Sequence, residues 1–409
     1  MPISESELPE IDIFSDDFSR DPIAIMQQAR DKSWVAKFSM GHAVLDFAAM
    51  KDILSDPRVR TPNKDITAMS GLPEVSAFAR FNNHFLLALE GDDHDRMRKA
   101  VSSAFTPRAA NKHRPFMRET INGILDDRAA SGQCDFVDIA SQYPITVMCR
   151  LLGVDAGDIP DFEAWLEAIG EAFALSPEVY QKIDSALENM FDYAEQVIEA
   201  RLDSGEIYDD LLQSLLDLAT VEKVITREEL LVLVLNLLSA GYDTTKNQLI
   251  LCMKVLLDRP DELEALLADP KRYKPFIDEC LRMSNPIMAT LRVANEDFEY
   301  RGAKFPKDGM IWIPLFFSGL GPEMNEEPYH FDAHRKGKRH LAFSSGIHVC
   351  LGMFLARALL EEGLPVILER MQNLKATAEP KTRPFNGIWA YSEMPISFDL
   401  LGLRRLGDD

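Results

Sequence analysis

The sequence lacks an uninterrupted apolar run long enough to cross a bilayer, which takes roughly 20 residues. Its longest apolar run, Leu230–Leu238, is interrupted by Asn236. The first ten residues, M-P-I-S-E-S-E-L-P-E, contain acids where a secretory signal would have a basic start and an apolar stretch. We therefore expect a cytoplasmic protein that does not bind membranes.

Cysteine is scarce and scattered along the chain. The cysteines are odd in number and include no C-x-x-C pair, and they stand at positions Cys134, Cys149, Cys252, Cys280 and Cys350. This pattern predicts neither a disulfide framework nor a zinc knuckle.

Basic residues are in deficit, with 44 Lys and Arg against 66 Asp and Glu, for a net charge of −22. Nucleic acids and anionic lipids require positive potential over the contact surface, so this balance excludes a general affinity for either. Apolar residues nevertheless make up 46% of the chain, which is far more than a disordered chain of such charge contains. We expect a folded protein whose basic patches are local.

No Gly/Ser linker, low-complexity tract or internal repeat divides the chain. Apolar residues recur at helical period in the segments Arg114–Ala130, Ile139–Leu152, Pro160–Ala174, Pro177–Leu202, Arg227–Leu257, Pro260–Leu267 and Gly352–Met371. Strand-like segments are short and are limited to Trp34–Leu45, Phe298–Ile313 and Ile396–Leu401. We predict one mainly α domain over residues 1–409, with a small β region and a loosely ordered extension over residues 1–20.

Residues 343–352 read F-S-S-G-I-H-V-C-L-G and lead directly into the last predicted helix. The unpaired amides and the dipole of a helix N-terminus favour negative charge, so Cys350 lies where a thiolate would be stabilised. The glycines on both sides would let a flat ligand approach the backbone closely. An isolated cysteine is more often an inert buried thiol, and the pattern around Cys350 is what favours a ligand here.

Two further motifs place charged or hydroxyl side chains in helical segments. Residues 279–282 read E-C-L-R, which puts Glu279 and Arg282 on one helical face, although such a pair is usually a solvated surface pair. Residues 240–245 read A-G-Y-D-T-T in the most apolar helix, where these residue types favour a helix break or a functional kink. The alternative to a functional role is that Asp243 caps a second helix.

The F-x-x-G-x-H-x-C-x-G pattern resembles the haem-binding loop of the cytochrome P450 family, the haem-thiolate monooxygenases. The resemblance extends from about Ile23 to Leu401 and implies a triangular, mainly α fold of the soluble bacterial type. It implies haem b (iron protoporphyrin IX) as the cofactor and Cys350 as the ligand of its iron. Because thiolate ligation favours O–O cleavage, we expect insertion of one oxygen atom from O2 into a C–H bond.

The resemblance also implies roles for residues outside the cysteine loop. Asp243 and Thr244 would lie on the oxygen side of the haem and deliver protons. Glu279, Arg282 and Arg335 would form a buried network that supports the loop. Haem carries two propionates, whose burial requires cations. The residues expected at the cofactor are His94, Arg98, Ala240, Arg292, Phe343, Gly346, His348, Cys350 and Gly352.

The expected substrate pocket is mostly apolar. Leu233, Asn236 and Leu237 share the helical face of Thr244, and the other residues are Phe81, Phe85, Leu86, Phe173, Ile287, Met288, Ala289, Ile388 and Trp389. This composition indicates a hydrophobic small molecule such as a terpenoid, a steroid or an alkylaromatic. Asn236 is unexpected, and its amide is either tied to a carbonyl of a neighbouring helix or orients a polar group of the substrate.

Electrons are expected from a separate protein, because no flavin or iron–sulfur segment is visible in the sequence. Basic residues cluster before the cysteine loop and in a second segment, and comprise Arg108, Lys112, Arg114, Lys336, Lys338 and Arg339. We expect them to dock an acidic ferredoxin, which is itself reduced by an NAD(P)H-dependent reductase. A solvated basic loop is the alternative interpretation.

Two other functions are compatible with these motifs. A peroxide-driven hydroxylase of the same fold is disfavoured, because Asp243 and Thr244 supply a proton relay that such an enzyme does not need. A haem-binding sensor or carrier without turnover is the alternative from another class.

Overall fold

Helices make up most of the computed structural model, which describes residues 3–154, 157, 159–171, 177–383 and 387–401. The α-helices are α1 Asp16–Arg20, α2 Pro22–Arg30, α3 Phe47–Leu54, α4 Asn63–Ser70, α5 Ala77–His84, α6 Gly91–Ser102, α7 Pro107–Arg128, α8 Phe136–Leu152, α9 Ile159–Gly170, α10 Pro177–Ser204, α11 Leu211–Thr220, α12 Arg227–Asp258, α13 Pro260–Ala268, α14 Tyr273–Met283 and α15 Met353–Arg370. Within this part of the chain, no helix has both the length and the apolarity that crossing a membrane takes.

The strands are short and form a minor part of the fold. They are β1 Val35–Phe38, β2 Gly41–Val44, β3 Val59–Arg60, β4 Gln133–Asp135, β5 Thr290–Ala294, β6 Phe298–Tyr300, β7 Ala303–Phe305, β8 Met310–Ile313, β9 Met371–Ala376, β10 Lys381–Thr382, β11 Tyr391–Glu393 and β12 Pro395–Leu400. A five-stranded sheet has the order β1-β2-β8-β5-β3, in which β2 and β8 run parallel. The predicted class, mainly α with a small β region, is confirmed.

The predicted helices correspond to observed ones. The segments beginning at Arg114 and Ile139 belong to α7 and α8, which start earlier because Thr106 and Asp135 cap them. The segment Pro160–Ala174 matches α9 as far as its last residue, and residues 172–174 lie outside the described part. The sequence did not reveal α2 to α5 or α11, which are 8 to 10 residues long.

Helix α12 crosses the helical core without interruption. A capping box starts it, in which the Thr226 side chain accepts from the Glu229 amide and the Glu229 side chain accepts from the Thr226 amide. Arg96 of α6 holds the same glutamate, with 2.5 Å between Nη2 and Oε1. The predicted helix break is therefore absent, and Asp243 does not cap a second helix. The hydroxyl of Thr244 instead donates to the Ala240 carbonyl oxygen at 2.9 Å.

The N-terminal segment differs from the loosely ordered extension predicted for residues 1–20. Its apolar side chains Leu8, Ile11 and Phe18 are buried in the core that the five-stranded sheet forms. The Ile11 amide donates to the Lys37 carbonyl of β1 at 2.8 Å. Because the acids of this segment point outward between buried apolar residues, its charge does not prevent packing.

Gly363 lets α15 pack closely against α8, and a substitution at this glycine tests the packing. A Cβ at Gly363 would lie 2.6 Å from Cε1 of Tyr143, whose hydroxyl donates to the Leu359 carbonyl. We expect Gly363→Ala to lower the free energy of unfolding by about 1–3 kcal/mol, because the ring must shift. Gly123→Ala in α7 is the matched control, since its Cβ would meet no atom within 4 Å. That control should raise stability by about 0.5–1 kcal/mol. Equal effects of the two variants in urea unfolding would contradict this packing.

Candidate active site

The cysteine loop ends at the start of α15. The Cys350 amide donates to the Phe343 carbonyl at 2.9 Å and so closes the loop. Cys350 is exposed, whereas Cys149, Cys252 and Cys280 are buried. Burial within the loop still raises the pKa of the Cys350 thiol, and the Gly352 amide and Arg98 only partly oppose this. The helix terminus alone therefore does not produce a thiolate, whereas coordination to a metal would.

The two glycines of the loop have different roles. Gly346 has φ +73°, and a Cβ there would overlap the Leu54 carbonyl at the end of α3. It is thus required by packing within the protein, and its role in making room for a ligand stays a prediction. A Cβ at Gly352 would meet no atom within 4 Å, so this glycine borders open space. Phe343 packs under Arg357, whose guanidinium carbon lies 5.2 Å from the ring centroid.

Predicted cofactor-binding cations from α6 converge on the cysteine loop. Arg98 Nη2 donates to the Val349 carbonyl at 2.7 Å, next to Cys350. The His94 and His348 rings meet edge to face with 4.8 Å between centroids. Burial lowers the pKa of both Arg98 and His348, and proximity to Arg292 lowers that of His348 further. All four predicted cations therefore belong to one neighbourhood.

This neighbourhood has unused hydrogen-bonding capacity. His94 is 1% exposed, yet its Nε2 has no hydrogen-bond partner among the residues that the structure describes. Both ring nitrogens of the buried His348 are also without one, although Nε2 lies 3.5 Å from Glu90 Oε1. Burial lowers the pKa of Arg292 to about 10, against the opposing charge of Glu90. Buried cations and orphaned donors fit a ligand that carries carboxylates, as the two propionates of haem do.

One face of α12 borders accessible space in the middle of the core. Ala240 is exposed although Leu238 and Tyr242 on either side are buried, and Thr244 is partly exposed one turn further on. Asn236 lies one turn before Ala240 on the same face. An open face inside a buried helix provides room for a ligand beside these residues.

Asp243 lies at the border of this face, under α9. Its Oδ1 accepts from Asn247 Nδ2 at 2.9 Å, and a Cβ at Gly170 would lie 3.2 Å from its Oδ2. Burial raises the pKa of Asp243, and the charges of Lys246 and Arg383 only partly oppose this rise. The carboxyl group therefore keeps its proton to a higher pH than an exposed aspartate does.

Sequence reasoning missed the charged groups that connect Asp243 with the surface. Lys246 is 1% exposed and its Nζ lies 3.2 Å from the Tyr242 hydroxyl and 3.4 Å from Glu167 Oε1. Arg383 Nη2 donates to the same Glu167 oxygen at 2.9 Å, and the Glu167 side chain is half-exposed. A lysine three residues after Asp243 in an apolar helix was the available signal, since lysine is rarely buried without a partner.

Glu279 and Arg282 form a buried ion pair and not the solvated pair that was the alternative. Arg282 Nε and Nη2 donate to the two Glu279 oxygens at 2.9 and 2.7 Å, and both side chains are 0% exposed. Arg335 Nε joins the pair at 3.3 Å from Glu279 Oε1. Arg282 also donates to the carbonyls of Gly319, Pro328 and His330. The network thus fixes the segment that leads to the cysteine loop.

The predicted pocket residues fall into several groups. The Phe81 and Phe85 rings stack with 4.9 Å between centroids, and Leu86, Leu233 and Leu237 are buried in the same helical core. Residues 286–289 and 387–389 run side by side through an Ile287–Ile388 bridge, with the Trp389 amide donating to the Pro286 carbonyl. Met288 and Ala289 are buried in the sheet-side core. Phe173 lies outside the described residues.

Some of the basic residues expected at the ferredoxin-docking surface are bound to other groups of the protein. Arg114 pairs with Glu361 and Glu362, and Lys112 lies 3.3 Å from Asp209. Lys338 Nζ donates to the carbonyls of Pro275 and Ala333. The cations left exposed, without a described ion pair, are Arg108, Lys336 and Arg339.

Comparison with known proteins gives consistent results. The family model described as Cytochrome P450 matches residues 61–390. Luteothin monooxygenase of Streptomyces thioluteus is 31% identical over 97% of this chain and 97% of that protein. Pentalenic acid synthase of Streptomyces avermitilis is 31% identical over 87% of this chain and 88% of that protein. A solved structure of P450BioI, in complex with an acyl carrier protein ligated by hexadec-9Z-enoic acid, has a TM-score of 0.87 at 26% identity and covers 94% of this chain and 100% of that chain.

The buried ion pair gives a mutational test. Arg282→Ala leaves the buried Glu279 charge with only the longer contact to Arg335, so we expect the free energy of unfolding to fall by about 3–5 kcal/mol. Arg20→Ala is the control, because its ion pair with Asp17 is exposed and should contribute about 0–1 kcal/mol. Chemical denaturation monitored by circular dichroism measures both variants. Similar stability of the two would show that the network does not support the fold.

Proposed function

Because the chain belongs to the cytochrome P450 family of monooxygenases, whose cofactor is haem, we propose that Cys350 is the axial ligand of this haem. We further propose that the enzyme inserts one oxygen atom of O2 into a C–H bond of a hydrophobic small molecule. The observation that carries the proposal is the exposed Cys350 surrounded by buried cations and unpaired imidazole nitrogens. A haem with a thiolate ligand supplies O–O bond cleavage in such a site.

The four cations would hold the cofactor. Arg98, Arg292, His94 and His348 are placed to neutralise two propionates, which would also give the buried imidazole nitrogens His94 Nε2 and His348 Nδ1 and Nε2 the partners that they lack among the described residues. Gly352 leaves room beside Cys350, and Ala240 leaves room on α12. The fit rests on side-chain chemistry and on the space at these two small residues.

Asp243 and Thr244 would deliver protons. The Thr244 hydroxyl donates to the Ala240 carbonyl, so its lone pairs remain free to accept a hydrogen bond from a water in the site. Burial raises the pKa of Asp243, so its carboxyl group holds a proton to a higher pH than an exposed aspartate does. Lys246 and the half-exposed Glu167 lie between Asp243 and the surface and would give the proton a route from solvent, while the guanidinium of Arg383 holds Glu167 in place.

The residues proposed for the pocket favour an apolar substrate. The stacked Phe81 and Phe85, together with Leu237 and the segment around Ile388, present aromatic and aliphatic surface. A terpenoid, a steroid or an alkylaromatic compound matches this surface, because apolar walls give affinity through burial and few polar groups give orientation.

Turnover in the presence of labelled oxygen tests the proposed reaction. We expect one 18O atom from 18O2 in the product when a ferredoxin, its reductase and NAD(P)H are supplied with a panel of such compounds. Thr244→Ala and Asp243→Asn should lower product formation by about 10²-fold or more while O2 consumption continues, because proton delivery fails. Thr245→Ala is the matched control, since this buried hydroxyl lies outside the open face of α12.

The same assay separates the alternative functions. Product formed with hydrogen peroxide and no reductant, at a rate that the Thr244 and Asp243 variants retain, would indicate a peroxide-driven hydroxylase. Binding of haem without product under either condition would indicate a sensor or carrier. Unlabelled product from 18O2 would contradict the proposed reaction outright.

We also propose that an acidic ferredoxin docks on the basic surface defined by Arg108, Lys336 and Arg339. Within the expected basic cluster, these three side chains are exposed and form no ion pair with a described acid. Attraction between opposite charges mainly accelerates association and is weakened by salt.

Charge reversal tests this docking surface. The double variant Lys336→Glu with Arg339→Glu should slow ferredoxin-supported reduction by about tenfold or more at low ionic strength, and added salt should abolish the difference. The double variant Lys304→Glu with Lys307→Glu, in β7 and in the turn that follows it, is the control, because it changes the net charge by the same amount. Stopped-flow reduction at several salt concentrations makes the measurement. Equal rates for the double variant and the control would exclude this surface.

A further inference from the structure

Asn236 is a polar side chain at an apolar position of α12. It is 7% exposed and stands between the buried Leu235 and Leu237. An amide in such surroundings is costly unless both its donor and its acceptor are satisfied. The position therefore requires a partner or a function.

The side-chain amide of Asn236 forms no hydrogen bond with any residue that the structure describes. Its main-chain oxygen does accept from the Ser239 hydroxyl at 3.2 Å, so only the side chain lacks a partner. Other buried amides of α12 are held by the protein through their nitrogens, although Asn247 Oδ1 and Gln248 Oε1 have no partner among the described residues. Asn247 Nδ2 donates to Asp243, and Gln248 Nε2 donates to the Ser284 carbonyl at 3.2 Å. The expectation that a neighbouring helix carbonyl holds Asn236 is thus not met.

The face on which Asn236 lies is the open face of α12. Ala240 follows it by four residues and Thr244 by eight, which puts them about 6 and 12 Å further along the helix axis. Ala240 is the exposed residue of this face and Thr244 is partly exposed. An amide at this place would meet a part of the substrate that is distant from the reacting carbon.

We infer that Asn236 is a specificity-determining residue that hydrogen-bonds an oxygen-bearing group of the substrate. This inference rests on the proposed function and narrows its substrate class. The substrate is an apolar molecule with a hydroxyl, carbonyl or ether oxygen placed away from the C–H bond that is oxidised. A pocket built to bond such a group rejects an analogue that lacks it, because the amide is then left unpaired.

Azole probes anchored on the haem iron test this inference without knowledge of the substrate. A series of 1-alkylimidazoles of increasing chain length is compared with the same series carrying a terminal hydroxyl. At the chain length that reaches Asn236, the hydroxyl should tighten binding to the wild type by about five- to tenfold, as one hydrogen bond in a buried site does. In Asn236→Leu this preference should disappear, and in Asn236→Gln it should move to another chain length.

Stability of the variants distinguishes recognition from a structural role. Because the amide has no protein partner, Asn236→Leu should keep or raise the unfolding midpoint of the holoenzyme. A lowered midpoint, or an undiminished hydroxyl preference in Asn236→Leu, would overturn the inference while azole binding at the iron still supported the proposed function. Failure of every azole to change the haem spectrum of the wild type would instead contradict the proposed function and the inference with it.

Discussion

The buried ion pair of Glu279 and Arg282 is the interaction on which the candidate site depends. Two charges in an apolar interior are tolerated only when geometry and hydrogen bonds compensate for their lost hydration. Here the guanidinium binds both carboxylate oxygens and also reaches main-chain carbonyls near Gly319 and His330. Arg335 joins from the other end of that segment. These contacts fix the conformation of the chain that precedes the cysteine loop.

The cost of burying charge also governs the other charged groups of the site. Arg292 and His348 are cations or potential cations in a buried place, and burial lowers the pKa of each. The negative charge of Glu90 compensates these positive charges only in part, so the site can still bind an anionic ligand. Near Asp243 the protein supplies its own compensation through Lys246 and Arg383, so that a carboxyl group can remain inside the helical core. In the proposed function, the incompletely compensated cations Arg292 and His348 hold the anionic ligand, and the compensated carboxyl group of Asp243 delivers protons.

Residue spacing was sufficient to predict elements and side-chain pairs that are close together in the sequence. Cys350 and the surrounding loop, the pair Glu279 and Arg282, and the long helices such as α12 follow from residue type and period. The short helices α2 to α5 were not predicted, because few turns give a weak periodic signal. Partners distant in sequence were also not predictable. The contact of Lys246 with Glu167 and the pairing of Arg114 with the acids of α15 depend on how helices cross.

The net negative charge of the chain hides how its basic side chains are bound within the fold. Arg114 is neutralised by partly buried acids, Lys112 pairs with Asp209 at the surface and Lys338 donates to main-chain carbonyls, so few exposed cations of the expected cluster are without a described partner. The claim that this loop holds haem through a thiolate is central, and the carbon monoxide difference spectrum of the reduced protein tests it most directly. We predict the strongly red-shifted band of thiolate ligation in the wild type and its loss in Cys350→His. An unshifted band in the wild type, as histidine ligation gives, would contradict the account.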